Sequence, residues 1–265
     1  MLFDIRGRRK NVVKVVYALL AVLMGLSLFL VVGGFNLSEL FTSNTSSGGE
    51  ASKPFEEQAE RIEVKLKKDP EDPDLLLSLT RAQVSAGNSL LSLEPDQEDY
   101  TNALQQYRLA SSTWSDYLEV TEEPNAGAAQ LMTSALVALT EGSRSAGEAQ
   151  SNLKAAVESQ QIVAEQRPTL NSLTTLALYQ YFNGEKKAAD EAREEAMKKA
   201  STKAEKEEVE KQLDEAEKNS RNYRQQIKAA EQAEAAGAGG GGGGSSLEGS
   251  PNPFGGGPGS GGFGE

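Results

Sequence analysis

Hydrophobic residues are distributed along this chain in two distinct ways. From Val15 to Phe35 they run almost without a break and no charged residue occurs, whereas from Pro54 to about Ala236 they recur every three or four positions among Glu, Lys, Gln and Ala. At a 1.5 Å rise per residue, the first run covers the roughly 30 Å hydrocarbon core of a bilayer. Tyr17, near its start, suits the headgroup level. The pattern predicts a transmembrane helix over 15–35. A cleaved signal peptide is the competing reading, but the run is longer than the usual apolar region of such peptides and no small-residue cleavage site follows it.

The three-and-four spacing over 54–236 predicts an all-α domain, built from strong helix formers with prolines almost confined to the gaps between periodic segments. The expected helices cover 54–68, 74 to near 87, 98–121, 126–141, 145–166, 169–183 and 185–236. A break near Ser201-Thr202 is expected in the last of these. Short connections make neighbouring helices antiparallel. Residues 36–53, rich in Ser, Thr, Asn and Gly, read as a flexible linker. Residues 237–265 are dominated by Gly and lack the apolar residues that would offset the entropy of ordering them, so a disordered tail is expected. Phe254 and Phe263 are the aromatic residues there, carried incidentally or as a docking motif.

Charge gives the apolar run a direction. The basic N-terminus, residues 1–14, holds Arg6, Arg8, Arg9, Lys10 and Lys14 against Asp4, while no Lys or Arg lies between Phe35 and Lys53. By the positive-inside rule residue 1 is cytoplasmic, and the helical domain lies on the outer side of the cell membrane, with residues 15–35 in contact with membrane lipid.

Over the whole chain 27 Lys and Arg face 39 Asp and Glu, a net charge of -12, so no nucleic-acid surface is expected. With no Cys and no His, the chain cannot form a disulfide, a thiol nucleophile, a Ser-His-acid triad or the usual structural zinc site. No cofactor is expected. The acidic residues, as in the run from Glu205 to Glu210, alternate with Lys on helical surfaces and read as solvated faces rather than catalytic carboxylate pairs. Val209, Leu213, Ala216, Tyr223, Ile227 and Ala230, interrupted by Ser220, form a narrow apolar seam on the last helix. That seam serves either to cap the helices before it or to contact a second chain.

Two stretches carry a further pattern. In the first, Leu76 and Leu79 are followed by Thr80, with Gly87 eight residues after Leu79. In the second, Leu173 and Leu176 are followed by Ala177, with Gly184 eight residues after Leu176 and then Ala189 and Ala196 seven apart. This resembles the tetratricopeptide repeat, whose 34-residue unit is a helical hairpin with small residues where helices meet. The resemblance covers roughly residues 70–200, with a degraded middle pair, and suggests a membrane-anchored repeat protein of the bacterial envelope. It implies a solenoid whose first helices line a binding face for a protein or peptide partner. On that pattern Leu77, Arg81 and Val84 face inward in one hairpin, and Asn171, Leu178 and Tyr181 in the other. Arg81, Asn171 and Tyr181 are the candidate partner-binding residues, because polar groups facing inward need partners.

A membrane-tethered, non-catalytic binding scaffold is therefore expected, the alternative being a structural spacer or homo-oligomer organiser acting through the long last helix. A carboxylate-only glycosidase is disfavoured by the absence of an aromatic sugar platform, Trp114 being the sole Trp. Neutralising Arg6, Arg8, Arg9, Lys10 and Lys14 together should give mixed membrane topology. Protease accessibility of the helical domain in intact cells stripped of their wall would show it, and uniform topology in the variant would refute the charge-based orientation.

Overall fold

The computed structural model describes residues 48–91 and 95–236, which form eight α-helices and, among the described residues, no strand. The helices are α1 (Gly48–Leu66), α2 (Pro73–Leu90), α3 (Gln97–Val120), α4 (Ala126–Glu141), α5 (Ala146–Gln166), α6 (Leu170–Asn183), α7 (Lys186–Lys199) and α8 (Lys203–Ala235). The expected membrane helix over 15–35, the basic N-terminus, the start of the linker and the Gly-rich tail lie outside the described residues. Among those described, no helix is long and apolar enough to cross a membrane.

Local chemistry sets most of the helix starts. Asp72 caps α2 by accepting from the backbone N–H groups of Asp74 and Leu75, at 2.9 and 3.1 Å, with Pro73 at the first helical position, where its missing N–H costs nothing. Asp96 and Asp99, Thr169 and Ser172, and Thr202 and Glu205 form reciprocal capping boxes on α3, α6 and α8. The Thr202 box is what divides the expected 185–236 helix into α7 and α8 at Ala200–Thr202. The turn between α6 and α7 needs Gly184, whose φ of 87° is left-handed and closes the end of α6.

One boundary differs from expectation. The helix expected to start at Pro54 starts at Gly48, so residues 48–53 of the expected linker are helical and Ser52 is buried. Pro54 is the seventh residue of α1, where it removes one i→i−4 bond and its ring crowds the carbonyl four residues back, a penalty on the preceding turns that does not forbid them.

Consecutive helices pack on one another, α2 also packs on α4 and α6 on α8, and α8 reaches back to α5. One apolar cluster joins α2 to α5 through Leu76, Val84, Tyr107, Trp114, Met132 and Leu136. A second joins α5 to α8 through Leu153, Leu173, Leu176, Tyr181, Phe182 and Leu213. Smaller clusters hold α1 to α2 and the start of α5 to Ile227 of α8. At Gly87 an added Cβ would lie 2.4 Å from Cε1 of Tyr107, so α2 and α3 approach closely because no side chain intervenes. Ala189, where α7 meets its neighbours, is fully buried.

Gly87→Ala and Ala189→Leu should each destabilise the domain by about 1–3 kcal/mol through overpacking, while Ser134→Ala on an exposed face of α4 stays within about 0.5 kcal/mol. Urea unfolding followed by circular dichroism tests this. An Ala189→Leu chain as stable as its parent would show that the α7 contact is loose.

Candidate functional site

The three residues expected to line a binding face do not converge. Arg81, half-buried on α2, donates from Nη2 to Oδ1 of Asn125 at 3.0 Å. Asn125 is also the N-cap of α4, its Oδ1 accepting from the N–H of Ala128, and its own N–H donates to the Tyr117 hydroxyl at 3.1 Å. Tyr117 stacks on Trp114 with ring centroids 5.1 Å apart, and the Trp114 Nε1–H donates to the hydroxyl of Ser159 on α5. Arg81 thus ties α2 into a polar chain running through the start of α4 to α3 and α5. Arg81 as a whole remains partly exposed.

Asn171 is exposed in the first turn of α6. Tyr181, on the same helix, is a core residue with 2% of its surface exposed, and its hydroxyl donates to Oδ1 of Asp190 at 2.7 Å. Burial pushes the phenol up, and the bond to Asp190 adds to that. The binding-face assignment of Tyr181 is therefore corrected, and Val84 and Leu178 are likewise buried. The reason is that α6 lies among α5, α7 and α8 and buries apolar residues on every side, Leu173, Leu176, Leu178, Tyr181 and Phe182 among them. A helix apolar all round has no inward face to distinguish from an outward one. That all-round pattern was the sequence signal for burial.

A shallow pocket that sequence reasoning did not anticipate lies where α5, the end of α6 and the second half of α8 meet. It encloses about 240 Å³ and is lined by Leu153, Phe182, Tyr223 and Ile227, with Gln150, Asn183, Arg224, Lys228 and Glu231 completing it. Phe182 and Tyr223 meet edge to face, 5.7 Å between centroids. The Tyr223 hydroxyl is buried without a hydrogen-bond partner, and burial pushes its pKa up to about 12, so it stays protonated and able to donate. Arg224 Nε bonds the Ser220 carbonyl, and the side chain lies over Gly184.

Beside the pocket, Lys186 bridges Asp190 of α7 and Glu217 of α8, at 3.3 and 2.9 Å, and Arg221 reaches Glu217 at 2.7 Å. The two cations hold the Glu217 carboxyl below its usual range, and Glu217 with Asp190 holds the Lys186 ammonium above its own. These groups join α8 to α7 rather than gather around a reacting centre. Among the described residues no group of three or more Asp or Glu is placed to hold a metal ion.

No family model matches this chain, and no curated protein or solved structure compared with it matches either.

Replacing Tyr181 by Ala should destabilise the domain by about 3–5 kcal/mol as a buried aromatic truncation, and Tyr181→Phe by about 1–3 kcal/mol for the hydrogen bond to a charged acceptor. Asn171→Ala should change stability by less than about 0.5 kcal/mol. Thermal melts of the three variants check the assignment, and a neutral Tyr181→Ala would return that ring to the surface.

Proposed function

We propose that this protein is a membrane-tethered, tetratricopeptide-like scaffold that captures a protein or peptide segment on the outer side of the membrane without catalysis. The observation that carries the reading is the packing of α2 on α4 and of α6 on α8: at each end of the domain alternate helices lie side by side, as first helices do in repeat solenoids, while α4 and α6 do not pack on one another in this way. On these first helices Arg81 is half-buried, Leu131 is 38% exposed and Asn171 is exposed, so polar and apolar groups both remain available to a partner. Tyr181, buried in the core, is no longer part of the proposed face.

The second reading is an oligomer organiser working through α8, favoured by the length of that helix, 33 residues, and the exposure of most of its surface. Against it, the seam at Val209, Leu213, Ala216 and Ile227 is already buried on the chain's own helices.

Photo-reactive residues placed singly at Asn171, Leu131 and Glu207 in the full-length chain, irradiated in cells, separate the two. The scaffold reading expects adducts to a foreign chain from Asn171 and Leu131 and none from Glu207. Adducts joining two copies of this chain through Glu207, with none from α4 or α6, would replace it by the organiser.

A further inference from the structure

The pocket between α5, α6 and α8 is too small for most cofactors: sites that enclose a whole small molecule hold roughly 300–1,000 Å³, and this one encloses about 240 Å³. It has room for one large apolar side chain of a passing peptide. Its apolar wall is Leu153, Phe182, Tyr223 and Ile227, and its rim places Arg224 and Lys228 against a single carboxylate, Glu231. On a chain of net charge -12, a rim with excess positive charge favours an acidic ligand carrying an apolar anchor.

The chain itself carries a segment of that chemistry a short distance away. Beyond Ala236, residues 237–244 are Gly apart from Ala238, and then come Leu247, Glu248 and Phe254. Between 237 and 254 Glu248 is the one charged residue. From Ile227 to the end of α8 at Ala235 the helix extends about 12 Å. A glycine-rich connection of the length from Ala236 to Leu247 has a root-mean-square span of about 17–20 Å. That is enough to turn back from the end of α8 to the pocket, and effective concentration is greatest when span and distance match.

We infer that the Leu247–Phe254 segment is the pocket's ligand in the same chain, with Leu247 or Phe254 entering between Phe182 and Ile227 and Glu248 pairing with Arg224 and Lys228. An external acidic peptide would then have to displace it.

The natural absence of cysteine permits a direct test. Nitroxide labels at Asn222→Cys, exposed on α8 next to Tyr223, and at Ser250→Cys report the distance between pocket and segment in the full-length chain in detergent. The expected result is a narrow short-distance peak by pulsed electron resonance. It should vanish into a broad distribution in Phe254→Ala/Leu247→Ala, and in Arg224→Glu/Lys228→Glu with helical content unchanged. A broad distribution in the parent, or a narrow one indifferent to these substitutions, overturns the proposal. Mixing chains labelled at one position each should give no short peak; one appearing only in the mixture would assign the pocket to a second copy and overturn it equally.

Discussion

Everything in this domain depends on helices approaching closely across small residues. Ala103 and Ala110 on α3, Ala128 on α4, Ala156 on α5, Ala177 on α6 and Ala189 on α7 have no exposed surface. Each leaves room for the neighbouring helix rather than filling space itself. Large side chains then occupy what the small ones leave open: the Tyr107 ring lies against Gly87, and Leu104 against Gly142. Dense packing of this kind tolerates neither added nor removed volume easily. The helix pairs are therefore held in register by shape, and the polar contacts act on a geometry that packing has already set.

Those polar contacts fall where shape alone would not fix direction. Thr113 donates to Gln83 inside the α2–α3 contact, Gln160 donates to the carbonyl of Ser172 between α5 and α6, and Trp114 donates to Ser159. Each satisfies a buried group that would otherwise cost about 1–3 kcal/mol. Helix α5 joins the two halves, contributing Ala156 and Val163 to one apolar cluster and Leu153, Val157 and Ala164 to the other. Its small and β-branched residues face different neighbours at successive turns, so the two clusters share a helix without merging.

The helices were legible in the sequence because their starts are written in short-range chemistry: Asp72 before Pro73, Asn125, Ser145, Thr169 and Thr202 all cap the helices that follow them. Pro54 misled, since a proline preference for the first turn does not forbid an earlier one. The candidate face was harder to read. Arg81 carries a polar contact as expected, but its partner Asn125 lies 44 residues away and belongs to a helix cap, a pairing no local pattern reveals. Tyr181 looked polar by type, yet an aspartate nine residues on accepts its hydroxyl and makes its burial affordable. The pocket was invisible because its walls come from three helices, and because Tyr223, Arg224, Ile227 and Lys228 meet Phe182 only after the chain turns at Ala200–Thr202.

That turn also explains how a helix so polar can dock. Of the 33 residues of α8, those buried are Val209, Leu213, Ala216, Ser220 and Ile227, a seam too narrow to specify its own register along α6. Contacts at successive points along the helix supply what the seam lacks. Near its middle, Arg193 of α7 meets Asp214 at 2.7 Å and Lys186 meets Glu217. At its far end Glu234 accepts from the N–H of Ala146, placing a carboxylate at the positive N-terminus of α5. Ion pairs this exposed are weak, so they tie α8 to α7, and Glu234 ties it to α5, as supplements to the apolar seam. The apolar seam supplies the attraction, and the contacts with α7 and α5 hold α8 at points along its length that the seam leaves open, on either side of the pocket at Tyr223.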